Sequence, residues 1–395
     1  MKRFVKFLFV TAMLPALAAG IFFCGGMARR VPRGVTVNGV DVGGMTRPQA
    51  VACVREDVLR DLRARELKIC SDGNVYSYSY PEISFKDDAR RVVYSAARAG
   101  NYALNLSWYL NGIDAVVSGI CAAEYAPLRE PEAVFNGGDG EPFEYIEGSR
   151  GKAVDCAALK SGIERSLALR RYGEEFEEVL LQAEYTYPKG SIEYVKKRTA
   201  RLAVFTTYFD CENTPRVSNI RLAGERISGC ILGAGKIFSF NARVGARTQK
   251  NGFQRAKIIE DGRFVYGVGG GVCQVSTTLY NAALLAGLDV TEYHPHSLAV
   301  NYVRPSRDAM VSGTYSDLKF RNVTNCPVYI RILTGLYYVR CEIYGLSDGT
   351  KYSLDSRVTG GEDGAVESEC YLTATRGEES VTKLIRKDRY LPAKT

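Results

Sequence analysis

The pattern of apolar residues changes near residue 200, and this change constrains the fold more than any other feature of the chain. Before it, amphipathic runs of helical length alternate with short strand-like runs, which predicts a mixed α+β module. After it, short apolar segments separated by glycines predict the strands of a mainly β domain. One run from about Val272 to Ala286, stopped by Gly287, predicts a helix inside that domain. The expected fold class is α+β, with a mixed N-terminal module followed by a mainly β domain with one central helix.

The length of 395 residues allows two or three domains, and a hydrophobic content of 46% is enough for a core in each half. The change of pattern divides the chain into four segments. They are an export segment at 1–30, a mixed module at 34–190, a mainly β domain at 200–345 and a polar C-terminal tail at 346–395. Within the tail, strands are expected near 371–375 and 381–385.

The first residues have the pattern of an export signal. Lys2, Arg3 and Lys6 precede an apolar stretch from Phe7 to Phe23, so a positive region is followed by a hydrophobic one. Arginines soon after this stretch favour an uncleaved membrane anchor over a cleaved signal peptide. The expected location is therefore the cell envelope, where the chain is either membrane-anchored or extracellular at the cell wall.

Charge and cysteine content exclude several classes of function. The formal net charge of +8 is spread along the chain, which suits an anionic surrounding such as a cell-wall polymer, or solubility alone. The chain has no zinc-finger spacing, basic helix or aromatic RNA-binding motif, so a nucleic-acid partner is not expected. The 11 cysteines cannot all pair within the chain and include no C-x-x-C pair. Neither a metal site nor another cofactor is expected.

The segment Gly269–Tyr280 concentrates the groups that can carry chemistry. Its three glycines, which include Gly270 and Gly271, let the backbone turn tightly or approach a ligand closely. Cys273 falls in the first turn of the predicted helix, where free N–H groups and the helix dipole stabilise a thiolate. Polar residues later in this helix are candidates for binding a ligand: Gln274, Ser276 and Thr277.

The two histidines of the chain, His294 and His296, follow shortly after this segment. A thiol nucleophile needs a base near neutral pH, and histidine is the usual one. A strand or turn that returns from the helix would place an imidazole beside the thiol of Cys273, and Glu292 or Asp308 would orient the ring. The alternative is a structural cysteine, because free cysteine is among the most buried residue types.

Four further polar residues are candidates for ligand binding. An arginine at such a place can bind a carboxylate in a bidentate manner, although a structural salt bridge is the alternative for each one. The four residues are Arg216, Asn219, Asn241 and Arg247.

Residues 206–345 resemble the VanW domain along nearly its whole length. The most specific stretch is Gly269–Ala282, which includes the glycine run and Cys273. His294 is not a position of the family pattern, so the resemblance favours His296 as the base. Shorter matching stretches are Arg216–Ile220, Phe238–Asn241, Gly245–Thr248, His296–Ser297, Tyr302–Val303, Arg307–Ala309, Asp317–Phe320 and Asn322.

The segment 34–190 resembles, more weakly, the peptidoglycan-binding module that accompanies VanW domains. The matching stretches are Gly34–Gly44, Ala99–Asn101 and Gly151–Asp155. The chain departs from the VanW pattern at Ala234–Lys236, where Pro-Gly-Glu is usual, and at Tyr293, where an arginine is common. The resemblance implies peptidoglycan or its stem peptides as partners, with the membrane contacted through the N-terminal segment.

Three functions remain open at this point. The first is a cell-envelope protein that binds or acts on peptidoglycan, with an accessory role in cell-wall metabolism or glycopeptide resistance. The second is a thiol-dependent acyl transferase or hydrolase acting on stem peptides, with Cys273 as nucleophile, His296 as base and Asp308 as a candidate orienting residue. The third is a non-catalytic envelope scaffold. The sequence leaves open whether the protein is an enzyme, and the arrangement of Cys273 and His296 separates these hypotheses.

Overall fold

The computed structural model describes residues 30–260, 262–313 and 315–392, which divide into two compact units. The first unit contains the described residues through Arg129 together with Arg150–Tyr187. The second unit contains Glu130–Ser149 and the chain from Pro188 onward. The predicted export segment lies outside the described residues except for Arg30. No helix within the described ranges is long and apolar enough to cross a membrane.

The helices and strands are numbered separately in chain order. The helices are α1 (Arg47–Arg63), α2 (Ala89–Ser95), α3 (Ile113–Glu124), α4 (Cys156–Leu169), α5 (Ile192–Lys197), α6 (Thr214–Ile227), α7 (Phe240–Val244) and α8 (Val272–Leu285), with a 3-10 turn at Gln249–Asn251. The strands of the first half are β1 (Val35–Val37), β2 (Val40–Asp41), β3 (Leu67–Cys70), β4 (Val75–Tyr78), β5 (Ile83–Asp87), β6 (Gly100–Tyr102), β7 (Leu106–Leu110), β8 (Glu132–Phe135), β9 (Phe143–Ile146), β10 (Gly151–Val154), β11 (Val179–Leu180) and β12 (Ala183–Thr186). Those of the second half are β13 (Ala200–Tyr208), β14 (Cys230–Leu232), β15 (Ile237–Ser239), β16 (Arg255–Glu260), β17 (Arg263–Val268), β18 (Asp289–Glu292), β19 (Lys319–Arg321), β20 (Val328–Thr334), β21 (Tyr338–Gly345), β22 (Lys351–Gly360), β23 (Val366–Arg376) and β24 (Glu379–Tyr390).

The first unit consists of small sheets with helices packed on them. Its sheets have the strand orders β2-β1-β6, β11-β3-β4, β5-β7 and β10-β12. Thr46 caps helix α1 and forms a capping box with Gln49 at the start of that helix. A disulfide joins Cys121 of α3 to Cys156 of α4, so part of the cysteine complement pairs within this unit.

The second unit is organised around a four-stranded antiparallel sheet of order β13-β21-β20-β14. Helix α8 packs against β13 and β21, and α6 packs against β20 and α8. The hairpin β8–β9 belongs to this unit although it comes early in the chain, because Phe135 and Phe143 pack against Tyr329 and Tyr344. Aromatic packing therefore assigns residues 130–149 to the unit that carries the glycine-rich segment.

The α+β class is confirmed, with 25% of the described residues in helix and 37% in strand, but the expectation of one central helix is wrong. Helix α6 is as long as α8, and α7 is a further short helix. Asn213 caps α6 through its side chain, and a buried face forms at helical spacing. That face consists of Val217, Ile220, Ala223, Gly224 and Ile227.

Residues 346–395 were expected to be a polar tail, but most of them form the sheet β22-β23-β24. The expected strands at 371–375 and 381–385 lie inside β23 and β24, which are 11 and 12 residues long. Arg386 and Tyr390 of β24 are 3% and 1% exposed. A charged side chain buried to this degree needs partners, and these partners lie at the candidate site.

Candidate functional site

Helix α8 is buried along its whole length except at two residues. Every residue of this helix is buried except Cys273 and Leu285, which are half-buried. The buried polar side chains of α8 are satisfied inside the unit. Gln274 donates to the Tyr208 carbonyl at 2.8 Å, and Thr278 shares a hydrogen bond of 2.8 Å with Thr207. Cys273 is therefore the one residue in the first turns of this helix that retains contact with the surface.

A glycine turn at Gly269–Gly271 sets the start of α8. Gly269 and Gly271 have φ values of 90° and 106°, in the left-handed region that favours glycine. A Cβ on Gly270 would lie 2.5 Å from the Lys257 carbonyl oxygen, so the backbones approach too closely for a side chain. Asn219 is fully buried and donates to the Gly270 carbonyl at 2.9 Å. This candidate ligand-binding residue thus holds the turn.

Replacing Gly270 with alanine is expected to destabilise the second unit by about 1–3 kcal/mol, because backbone atoms must move to admit the new methyl group. The shift displaces Cys273, so its alkylation rate should fall as well. Thermal unfolding and alkylation rates measure both effects. Gly313→Ala is the matched control, since a Cβ there meets nothing within 4 Å. Equal stability of the two variants would contradict the role assigned to Gly270.

The structure brings Cys273, His296 and Asp308 together. His296 lies in the loop after β18, and its Nδ1 is 2.6 Å from Oδ2 of Asp308. The backbone N–H of His296 donates to the same oxygen at 2.7 Å, which fixes the loop as well as the ring. The Cys273 thiol lies close enough to His296 for each group to shift the pKa of the other, and the thiol itself donates to the Val311 carbonyl at 3.3 Å. The three groups form a chain from thiol to imidazole to carboxylate, the arrangement of cysteine nucleophiles activated by histidine.

Asp308 is held by two residues of the C-terminal sheet that the sequence analysis did not include in the site. The Tyr390 hydroxyl donates to Oδ1 of Asp308 at 2.6 Å, and Arg386 Nη2 donates to the same oxygen at 3.0 Å. Arg386 also donates to the backbone carbonyl of Asp308. Arg386 and Tyr390 lie on the buried face of β24, whereas Lys387 and Arg389 on its other face are exposed.

The charges of Cys273, His296 and Asp308 shift one another's pKa values: those of Cys273 and Asp308 are lowered and that of His296 is raised. Burial raises the pKa of the Cys273 thiol, but hydrogen bonding to His296, its positive charge, the Val311 N–H and Arg247 together bring the pKa below its ordinary value. Burial lowers the pKa of His296, but Asp308 and Cys273 raise it to about 9. Burial raises the pKa of Asp308, whereas His296, Arg386 and Tyr390 lower it to about 2. These shifts favour a thiolate–imidazolium pair beside an ionised carboxylate.

Two predicted arginines and a tyrosine lie around the thiol. Arg247 donates to Oδ1 of Asn241 at 2.5 Å, and Arg216 donates to Oε1 of Gln274 at 2.9 Å. Burial and the charge of Cys273 raise the pKa of the Tyr302 hydroxyl, whereas Thr277 lowers it. Tyr302 was not among the predicted site residues, although it falls in one of the stretches that match the VanW pattern.

The remaining predicted residues act within the protein. Ser276 Oγ donates to the Ala309 carbonyl at 2.5 Å, and Thr277 Oγ1 accepts the Ala309 N–H at 3.0 Å, so both tie α8 to the Asp308 loop. Glu292, the alternative orienting residue, instead contacts His294 at 3.1 Å and Lys319 at 2.8 Å. The structure therefore pairs His296 with Asp308, not with Glu292.

The fold and this site coincide with a recognised domain class: residues 215–344 match the family described as VanW like protein. This segment of the chain is similar to VanW-like domains, and it contains Cys273, His296 and Asp308. Arg386 and Tyr390 lie beyond it, in the sheet that follows.

Two curated relatives are similar to part of the chain. The uncharacterized protein YoaR of Bacillus subtilis (strain 168) is 39% identical over 161 residues, which cover 40% of this chain and 53% of that protein. The vancomycin B-type resistance protein VanW of Enterococcus faecalis (strain ATCC 700802 / V583) is 27% identical over 121 residues, which cover 29% of this chain and 44% of that protein. The chain therefore spans about half the length of the curated relatives it matches. No solved structure matches the chain.

Proposed function

We propose that the protein is a thiol-dependent acyl-transfer enzyme, a transferase or hydrolase, that acts on peptide amide bonds of the cell wall. The observation that carries the proposal is the chain Cys273–His296–Asp308, in which His296 Nδ1 lies 2.6 Å from the Asp308 carboxylate. A cysteine with a purely structural role does not need a buried imidazole–carboxylate pair beside it. Here His296 and Asp308 are 5% and 1% exposed, and both are committed to one another beside a half-buried thiol.

The first step is attack of the Cys273 thiolate on the carbonyl carbon of an amide. A carbon–sulfur bond forms, the amide carbon–nitrogen bond breaks, and His296 gives its proton to the departing nitrogen. The products are an acyl thioester on Cys273 and a free amine. Asp308 keeps its charge throughout and stabilises the imidazolium, because Arg386 and Tyr390 hold its carboxylate in place.

The second step releases the acyl group. A water molecule or an acceptor amine attacks the thioester carbon, His296 removes a proton from the attacking group, and the sulfur leaves as thiolate. Water makes the protein a hydrolase, and an amine makes it a transferase. The choice depends on access of water to the thioester.

The proposed place of action is outside the membrane, in the cell envelope. The charged and apolar pattern of residues 1–23 is that of an export signal. The disulfide Cys121–Cys156 suits an oxidising compartment. The printed name of the enterococcal relative refers to vancomycin resistance, which suggests a general role related to the cell wall. Peptidoglycan stem peptides are therefore the proposed substrates.

The test is to incubate the purified protein with soluble peptidoglycan fragments and follow both products and protein mass. Wild-type protein should release an amine product and accumulate a mass adduct on Cys273. Cys273→Ser should lose the adduct, and turnover should fall by on the order of 10³-fold or more, since its hydroxyl is a far weaker nucleophile at neutral pH.

Binding to intact sacculi distinguishes the accessory wall-binding function. If Cys273→Ser and wild-type protein bind sacculi equally and neither turns over any fragment, the enzymatic proposal is wrong and the binding function remains. Cys211→Ser is the matched control, because Cys211 is an exposed free thiol of the same unit. It should leave turnover unchanged.

A further inference from the structure

We infer that the substrate of this thiol carries a carboxylate close to the carbonyl that reacts, and that Arg247 binds this carboxylate. The inference rests on the proposed function and specifies its substrate class. Within the described ranges, the folded protein leaves the Nε–H group of Arg247 without a hydrogen-bond partner.

Arg247 has an unused donor in a buried position. Its Nη2 donates to Asn241, but its Nε is shielded from solvent and has no hydrogen-bond partner. Three other arginines in the described residues also have a buried nitrogen without a partner, but Arg47, Arg65 and Arg170 all belong to the first unit. A buried donor without a partner is costly, so one next to a candidate nucleophile indicates a place for a ligand.

The stem of Arg247 is fixed against the glycine turn that begins α8. A Cβ on Gly269 would lie 3.1 Å from Cβ and 3.4 Å from Cγ of Arg247, so glycine at this position makes room for the arginine. Asn241, which accepts the hydrogen bond of Arg247, donates to the Ser312 carbonyl at 3.4 Å, and the adjacent Val311 carbonyl accepts the Cys273 thiol at 3.3 Å. The guanidinium and the sulfur therefore belong to one site.

No carboxylate of the protein neutralises Arg247 at contact distance in the described ranges. Asp317 is the carboxylate whose charge acts on Arg247, but its oxygens accept hydrogen bonds from Ser239 at 2.5 Å and from the Asn241 N–H at 2.8 Å. The guanidinium is thus a half-buried cation whose Nε has no partner within the described residues. Such a group binds a carboxylate more strongly than a neutral carbonyl, because the hydrogen bonds are assisted by charge.

Two alkylating reagents test this inference without knowledge of the natural substrate. Iodoacetate carries a carboxylate one bond from its reactive carbon, whereas iodoacetamide is neutral and of similar size. Peptide mapping by mass spectrometry gives the rate at Cys273, with exposed Cys211 as an internal reference thiol. Relative to Cys211, Cys273 should prefer iodoacetate over iodoacetamide.

Arg247→Gln should lower this preference by about tenfold, the loss expected for a charge-assisted hydrogen bond. The ratio of the two rates is the readout, because removal of Arg247 also raises the thiol pKa and slows both reagents alike. Arg243→Gln is the matched control, since Arg243 is an exposed arginine of α7. It should leave the ratio at the wild-type value.

A second measurement uses wild-type protein only, so misfolding of a variant cannot obscure the result. N-acetylalanine should protect Cys273 from iodoacetamide, and N-acetylalaninamide, which lacks the carboxylate, should not. If Cys273 outpaces Cys211 with iodoacetamide but shows neither a preference dependent on Arg247 nor protection by the acid, the inference is overturned and the proposed function stands. If Cys273 reacts no faster than Cys211 with either reagent, the proposed function itself fails.

Discussion

Replacing His296 with glutamine is expected to lower the alkylation rate of Cys273 at pH 6 by at least about tenfold. Glutamine removes the hydrogen bond and the positive charge that bring the thiol pKa below its ordinary value. An ordinary thiol with a pKa near 8.5 is only about one part in 300 thiolate at pH 6, and the thiolate is the reactive form. Greater intrinsic nucleophilicity of the more basic sulfur offsets part of this loss, which is why the estimate is set at tenfold.

The pH dependence of the wild-type rate should have two limbs. As the pH falls through the lowered pKa of Cys273, the thiolate takes up a proton and the rate declines. As the pH rises through the pKa of about 9 for His296, the imidazolium loses its proton and the sulfur becomes an unpaired thiolate, so the alkylation rate changes a second time. Alkylation with iodoacetamide at Cys273, resolved from the other cysteines by peptide mapping, measures both limbs.

His294→Gln is the matched control for this experiment. His294 is the other histidine of the chain, lies two residues away and contacts Glu292 instead of Cys273. Its replacement should leave the rate at Cys273 within about twofold of wild type, the range usual for a distant surface change. If Cys273 is alkylated as fast in the His296→Gln protein as in the His294→Gln protein at pH 6, His296 does not activate the thiol.

Replacing Asp308 with asparagine is expected to reduce the free energy of unfolding of the second unit by about 3 kcal/mol. The change leaves Arg386 buried without one of its two carboxylate partners, because only the contact of 2.5 Å with Asp388 remains. Asparagine also keeps only one acceptor oxygen, so its NH2 group must face either His296 or the Arg386 and Tyr390 donors. Breaking a buried ion pair by removing one partner typically costs about 3–5 kcal/mol, and the surviving Asp388 contact places this case at the lower end.

Urea unfolding followed by far-UV circular dichroism measures this change. The single tryptophan, Trp108, lies in the first unit, so its fluorescence separately follows that unit. Asp355→Asn in β22 is the control, because its partner Arg357 is exposed and the pair contributes far less. A loss of stability in Asp308→Asn no greater than in Asp355→Asn would contradict the role of Asp308 as the centre of a buried network.

The same groups define how the stability of the second unit depends on pH. The pKa of Asp308 is about 2 in the folded protein, below its value of about 3.9 when unfolded, so its contribution is present above pH 4 and disappears as the pH falls towards 2. The pKa of His296 is about 9, above its unfolded value of about 6.5. Its contribution is therefore complete below pH 6.5 and disappears as the pH rises through 9.

Helix α8 followed from the sequence because its signal is short-range: the glycines before Cys273 and the apolar pattern after it depend on a few neighbouring residues. Cys273 and His296 were expected to meet because they are close in the chain and chemically suited to one another, with Glu292 or Asp308 left open as the orienting residue. Their catalytic role stays a prediction.

The features that escaped prediction depend on long-range packing or on a signal that was overlooked. Helix α6 shows an apolar face at helical spacing, and this signal was overlooked because the surrounding segments were interpreted as a mainly β domain. Arg386 and Tyr390 contact Asp308 from 78 and 82 residues further along the chain, and no local pattern fixes such a contact. Asn219 and Gln274 have side chains typical of ligand-binding residues, yet in the fold they satisfy buried backbone and side-chain groups.

The anchoring of Asp308 by β24 has a consequence for how the protein is made. The ribosome makes Cys273, His296 and Asp308 before it makes Arg386 and Tyr390, so the nascent domain at first lacks the two residues of β24 that hold Asp308. The His296 loop is likewise tied late, when the Leu391 N–H donates to the Ser297 carbonyl at 2.8 Å. We therefore expect the surroundings of the thiol to be complete only after β24 has been synthesised and has joined its sheet.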